Sequence, residues 1–521
     1  MDPGQRVGDQ GNFTYMFNTQ HNLNRQVNTE YSQYPGEVQT LSTGSRFQDK
    51  LYEKTMMHNY YQANVYATYA HTWNEKHNFK AMAGFNWETK YLKDVSATGY
   101  NLLSETLMDL NLVGQDADGN ERMEVGGGQN EYALMGFFGR LNYDYKGKYL
   151  VEVSGRYDGN SKFPSNQRWG FFPSASVGWR ISEEPFMAGA KSWLDNLKIR
   201  ASFGSTGNGQ VDNYLFLSKI AIKKNLGFLT GDSPLIYADK PSLIPDGLTW
   251  ETVSTYDLGL DWEMLNGRLS IVADIYRKNT TDMYVVGPAT SRPYFGNSAP
   301  KGNYADMRTD GWEASLSWRD SHKVAGKTLS YNIKVAVWDN TSKITRYTAK
   351  TGTLPTNYSI NYYEGMTLGE MWGYKCDGLF QSDEEAQTWA NYSKFTNRSA
   401  TWQAGDPRYL DLNGDGYVNN GNNTIYDHGD LVKIGNTTPR YSYSIQGGVR
   451  WNGIGISMMW QGVGKRDWYP AKESGLFLGT SYGPPSTGMA LRRHHEATAG
   501  HRPTAAPTGR AWSAIRPATR A

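Results

Sequence analysis

The stretch YQANVYATYAHTWNEKHNFKAMAGFNWE, residues 61–88, decides the fold class. Tyr61, Ala63, Val65, Ala67, Tyr69 and Trp73 fall on one face, with His71 as the one polar interruption. Gln62, Asn64, Thr68 and Thr72 fall on the other, with Tyr66 and Ala70 among them. NEKH ends that run, and Phe79, Ala81, Ala83, Phe85 and Trp87 then alternate with Asn78, Lys80, Asn86 and Glu88. A period of two belongs to extended backbone, where successive side chains point to opposite faces. The stretch therefore reads as an antiparallel hairpin.

The pattern recurs along the chain. Phe137, Leu141, Tyr143 and Tyr145 turn at KGK into Tyr149, Val151, Val153 and Tyr157. Tyr256, Leu258, Leu260 and Trp262 turn at Asn266-Gly267 into Leu269, Ile271, Ala273 and Ile275. Trp312, Ala314, Leu316 and Trp318 alternate with Glu313, Ser315 and Ser317. Tyr441, Tyr443, Ile445, Val449 and Trp451 turn at Asn452-Gly453 into Ile454, Ile456, Met458 and Trp460. Asn-Gly pairs favour the tight turns that join antiparallel strands. Roughly a dozen such strands are expected.

Tyr or Trp closes the apolar face at strand ends: Tyr61 and Trp73, Trp312 and Trp318, Tyr441 and Trp451. The opposite face carries Lys, Glu, Arg, Asp and Asn. Short turns alternate with long polar connections, expected at 206–250, 279–309 and 340–439. Aromatic girdles, a hydrated second face and this loop asymmetry are the signature of a membrane barrel with short turns on one side and long loops outside. A soluble sandwich alternates as well. The expected fold is thus all-β, a transmembrane antiparallel β-barrel. A soluble secreted all-β protein that binds or cleaves glycans is the alternative.

Composition narrows the function classes. Tyr, Phe and Trp make up 14% of the 521 residues beside 56 glycines, which suits a large turn-rich β protein. With 53 basic and 51 acidic residues, charge gives no argument for nucleic acid. Cys376 is the one cysteine, so no internal disulfide can form. No H-E-x-x-H, C-x-x-C, G-x-S-x-G or Walker motif occurs, and EVGGGQN at 124–130 reads as a glycine loop. No enzyme is expected.

Several blocks in fixed order resemble SusC/RagA-type TonB-dependent outer-membrane transporters. They are RYDGNSKFPSNQRWGFFPSASVGWRISEEPFM (156–187), LKIRASFGSTGN (197–208), LTWETVSTYDLGLDWEMLNGRLSIVADIYRKNTTDM (248–283), EGMTLGEMWGYKCDGLFQSDEEA (364–386), and GDPRYLDLNGDGYVNN followed by IGNTTPRYSYSIQGGVRW. The resemblance implies a Bacteroidetes importer of oligosaccharides or peptides that works with a SusD-type surface lipoprotein. It implies energy from the TonB complex, acting through a plug inside a barrel of ~22 strands. Plug, TonB-contacting segment and signal peptide are expected to be missing here, and outer-membrane lipid to surround the strands. The resemblance makes 1–486 the C-terminal portion of that barrel, so the chain is expected as a partial transmembrane antiparallel β-barrel in the cell outer membrane. Residues 487–521, where Tyr and Phe vanish, are expected as an aberrant tail, frameshifted or disordered. Alone, the chain is not expected to be an autonomous transporter.

DLNGDGYVNN at 411–420 places Asp411, Asn413 and Asp415 on alternate positions before Gly416, like the first half of a calcium loop. The Tyr417 carbonyl and Asp427, or Asp430, would complete the oxygen set, since Asn422 stands where a bidentate acid belongs. The competing reading is a loop of Asx turns without metal. No cofactor is required; calcium is the one cation to test. Tyr358, Tyr362, Tyr363, Trp372, Tyr374 and Trp402 are the aromatic candidates for stacking on a sugar or for contact with a lid. Loop packing is the competing role for each.

Overall fold

The computed structural model describes residues 14–24, 50–100, 109–112, 123–223, 229–230, 233–234, 237–239, 241–242, 244, 247–287, 301–348, 352–355, 361–389 and 404–468. The tail 487–521, Tyr358 and Trp402 lie outside them.

Thirteen strands form one antiparallel sheet in which each pairs with its sequence neighbours. They are β1 (Thr14–Asn24), β2 (Lys50–Trp73), β3 (His77–Tyr100), β4 (Met123–Tyr145), β5 (Tyr149–Asn160), β6 (Trp169–Arg180), β7 (Leu194–Asn208), β8 (Glu251–Met264), β9 (Leu269–Val286), β10 (Lys301–Val324), β11 (Lys327–Tyr347), β12 (Arg440–Trp451) and β13 (Ile454–Lys465). Among the described residues the sheet is open, with β1 and β13 at its edges.

The register keeps the predicted faces together. Val65 faces Phe85, Phe85 faces Phe137, Phe137 faces Tyr157, and Tyr157 faces Phe171. Among the described residues this apolar row meets no second sheet. Val65 is 68% exposed, and Tyr69, Phe137, Val153, Phe171, Leu258, Ile275 and Val449 are exposed with it. Packing against another layer would have buried them, so the sandwich arrangement is ruled out for this sheet. Tyr61 and Trp73 lie twelve positions apart on β2. At ~3.3 Å per residue and a barrel tilt of ~40°, that rises ~30 Å, close to the ~25 Å apolar band of an outer-membrane barrel.

The clusters of buried apolar residues sit instead at the long-connection end. Phe163, Phe172, Leu248 and Trp250 form one cluster there. Ile344, Leu354, Tyr363, Met366 and Leu431 form a second, and Phe380, Ala386 and Val418 a third.

The long connections are shorter than the sequence suggests. β7 runs to Asn208, β9 to Val286 and β11 to Tyr347, while β10 starts at Lys301. Most of the expected 279–309 loop is therefore ladder, with Thr280 opposite Met307 and Tyr284 opposite Asn303. EVGGGQN is strand as well: Gly126, Gly127 and Gly128 pair with Ser96, Val95 and Asp94. The reason is common to both. Above the membrane band both faces of a strand meet water, so pairing continues where alternation stops.

Candidate functional site

Two regions carry the polar chemistry: the concave face of the sheet and the module between β11 and β12. On the concave face a cavity of about 680 Å³ is lined by Asn142, Asp144, Glu152, Lys198, Arg200 and Asp257, among others. These occupy the positions that alternate with the apolar row. Arg200 is the hub. Its Nη1 lies 2.7 Å from Asp274 Oδ1 and 3.5 Å from Asp257 Oδ1, and its Nε lies 3.2 Å from Asp261 Oδ1. A guanidinium serves three carboxylates because its donors fan out in a plane. The charged groups of this wall are mixed in sign.

The module is built from short pieces. Glu370–Tyr374 pairs with Leu431–Asn436, and Cys376–Leu379 pairs with Pro407–Tyr409. A six-residue helix, α1 (Asp383–Thr388), starts where Ser382 accepts the Glu385 N–H at 3.1 Å. Glu385 returns its carboxylate to the Gln381 N–H at 2.7 Å, reciprocal capping that needs no tertiary partner. Arg408 ties the helix to the second strand pair through Glu385 at 2.6 Å and Asp377 at 2.8 Å, with its guanidinium 5.0 Å from the Trp389 ring centre. The Gln381 N–H and Arg408 hold the Glu385 carboxyl below its usual range.

Glu370 is one of the module's buried carboxylates. It accepts from Lys433 Nζ at 2.7 Å, the Thr367 N–H at 2.9 Å and Tyr363 Oη at 2.5 Å. Burial opposes its charge, but the Lys433 ammonium and these donors outweigh it and hold the carboxyl below its ordinary value. Burial, and then the bond to Glu370, push the Tyr363 phenol up. Burial, with Asp430 and Tyr409 nearby, pushes Tyr374 to about 12.

These contacts decide where the aromatic candidates stand. Tyr363 is 4% exposed and belongs to the core. Trp372 packs against the same cluster, beneath Lys433 Nζ at 5.6 Å and beside His428 at 5.5 Å. Tyr374 packs between two clusters and against Tyr409. Only Tyr362 among the described candidates is exposed, set edge-on to Tyr347 at 6.3 Å. Tyr363, Trp372 and Tyr374 thus all take part in the packing of the module.

In the 411–430 loop, Asp411 accepts the Gly414 and Gly416 N–H groups, each at 2.7 Å. Asn413 accepts from Asp415 N at 2.9 Å, and Asp415 from Tyr417 N at 2.8 Å. Asp427 takes both nitrogens of Asn422, at 3.2 and 2.6 Å. Fully buried Asp430 joins the loop's two ends, accepting from Leu412 N at 2.7 Å and Asn419 N at 2.8 Å. These are nested Asx turns closed by a buried carboxylate. Among the described residues, no three His, Cys, Asp or Glu side chains are grouped to hold a metal ion. Sequence reasoning missed Glu370, Lys433 and Arg408; their partners lie 63 and 23 positions away for Lys433 and Arg408–Glu385, with no local motif to mark them.

Among the described residues one sheet face is polar and concave, the other is apolar and bare, and the long connections lie at one end. That combination defines a barrel wall of the outer-membrane transporter class. A family model for TonB dependent receptor-like β-barrels matches residues 2–484, and the chain belongs to that family. TonB-dependent receptor P39 of Formosa agariphila is 28% identical over 424 residues, covering 74% of this chain and 38% of the relative. TonB-dependent receptor SusC of Bacteroides thetaiotaomicron is 26% identical over 297 residues, covering 56% of this chain and 28% of the relative. A structure of the RagAB peptide importer in the "open-open" state superposes with a TM-score of 0.64 at 20% identity, covering 81% of this chain and 42% of that one. The chain thus spans well under half the length of these relatives. All are receptors or transporters, as the lack of catalytic motifs led one to expect.

Proposed function

We propose that this chain is the barrel portion of an outer-membrane importer of oligosaccharides or peptides. In this reading the importer works with a SusD-type surface lipoprotein and draws energy from TonB through a plug that the barrel encloses. The observation that carries the proposal is the two-faced sheet. Its apolar row suits lipid and its Arg200-centred wall suits a hydrated passage. The likeness to SusC and to the RagAB peptide importer supports the substrate classes. Tyr362, the exposed one of the described aromatic candidates, is the residue proposed to meet a solute or a lid.

The test is a gene deletion grown on a panel of glycans and peptides, with the tagged protein used to capture a surface lipoprotein. Loss of growth on one polymer, with lipoprotein capture, supports the proposal. Growth on every substrate, or recovery of the protein in the soluble fraction, contradicts it. Calcium at Asp411, Asn413, Asp415, Tyr417 and Asp427 is a secondary proposal, with the self-supporting turn as its competitor.

A further inference from the structure

The connection between β6 and β7 lies on the short-turn side, yet it is not a tight turn. It holds two 3₁₀ segments, Ile181–Glu183 and Pro185–Ala190. Phe186 is 70% exposed and Trp193 44% exposed, and Leu265 of the neighbouring β8–β9 turn is 41% exposed. Leu265 N donates to Trp193 O at 2.8 Å, so the two turns form one bonded rim. A single exposed apolar side chain needs no explanation, but three on one rim do.

The rim is pinned to the lipid-facing side of the sheet. Tyr149 Oη donates to Glu184 Oε1 at 2.6 Å, and Trp179 Nε1 donates to the same oxygen at 3.1 Å. Tyr149 and Trp179 face each other across β5 and β6, in line with Val151 and Val177 on the outward row. Both are exposed, at the short-turn edge of the apolar band. Glu184 therefore reaches around the strand ends to the outer surface, with Lys148 Nζ 3.5 Å away. Lys191 and Arg180 flank Glu183 at 3.3 and 3.6 Å. Apolar rings beside cations, continuous with an aromatic girdle, match the level where acyl chains give way to phosphates.

We infer that the Ile181–Trp193 rim is a membrane-surface anchor. Phe186, Trp193 and Leu265 enter the headgroup layer of the phospholipid leaflet on the short-turn side, and Lys148 and Lys191 lie among its phosphates. The occupant is phospholipid, because the surface continues the lipid-facing row without a break. The inference rests on the membrane placement proposed above, and its test separates the two.

The full-length protein in a Cys376→Ser background carries a nitrobenzoxadiazole label at Phe186→Cys, Ala188→Cys, Leu258→Cys or Tyr426→Cys. Each is reconstituted in phosphatidylethanolamine–phosphatidylglycerol bilayers. Quenchers are phospholipid brominated near the headgroup end of its chains, and aqueous iodide. Position 258 marks the belt and 426 the water. The label at 186 should reach about half the bromolipid quenching of 258 or more, with iodide quenching several-fold below that at 426. Iodide access at 186 equal to that at 426, or resistance to both quenchers, overturns the anchor and leaves a water-facing or protein-covered rim. Loss of bromolipid quenching at 258 overturns the membrane placement and the anchor together. Ala188→Cys gives the same reading from the same segment if Phe186→Cys does not fold.

Discussion

The sheet and the module between β11 and β12 solve the same problem in opposite ways. In the sheet, Val65, Phe137, Val153 and Leu258 stay exposed. In the module, Leu354, Phe380 and Val418 are fully buried around short strands and α1. The chemistry of the residues is alike; what differs is the solvent. A side chain that meets acyl chains gains nothing by turning inward, whereas one that meets water does. The chain thus carries two sets of rules, and the boundary falls where β11 ends at Tyr347.

That contrast can be broken from either side. Phe380→Ala removes a fully buried ring from the module and should cost about 3–5 kcal/mol there. Limited proteolysis should show faster cleavage within 352–439, while the heat-modified gel mobility of the barrel stays unchanged. Loss of barrel mobility as well would mean that the two regions fold as one. Val153→Arg, at the middle of β5 on the outward row, should cost ~2–4 kcal/mol of barrel stability in lipid. The folded fraction in bilayers measures it. An arginine tolerated there would place water, not lipid, against that face.

A smaller effect follows from Glu370. Its carboxyl is held below its ordinary value in the folded module, so the unfolded chain binds a proton more readily than the folded one. The contribution is complete above the unfolded value of ~4.3 and is lost as pH falls through the folded value. Protease resistance of the module should therefore drop below about pH 4, and Glu370→Gln should flatten that drop. The smallest effect concerns Asp411 and Asp415. Their oxygens already hold backbone N–H groups, so chelation should leave cleavage near 411–430 unchanged. Asp411→Ala with Asp415→Ala should speed it with or without calcium. A chelator effect that this double substitution abolishes would favour the metal instead.

The split also explains what the sequence could show. Within the membrane band, Tyr61 to Trp73 must alternate because lipid and water lie on either side, and the hairpin is readable from 61–88 alone. The Asn266-Gly267 and Asn452-Gly453 turns are equally plain; Asn266 and Asn452 take the left-handed conformation at φ 59° and 47°. Above the band the constraint lapses, so Gly126–Gly128 look like loop but form ladder. In the module nothing is periodic. Glu370 finds Lys433 across 63 positions, and Asp430 finds Leu412 across 18, through contacts that no local pattern announces. The aromatic candidates there were visible, but which of them face inward was not.

The most direct test of the two-solvent account is a cysteine scan along β8 in the reconstituted protein, with Cys376→Ser as background. Tyr256, Leu258 and Leu260 lie on one face, Asp257 and Asp261 on the other. Labels on the first three should be quenched by brominated lipid and shielded from iodide, and labels on the two aspartate positions should show the reverse. Quenching without that period of two, or iodide reaching Leu258 as readily as Asp257, would contradict the account.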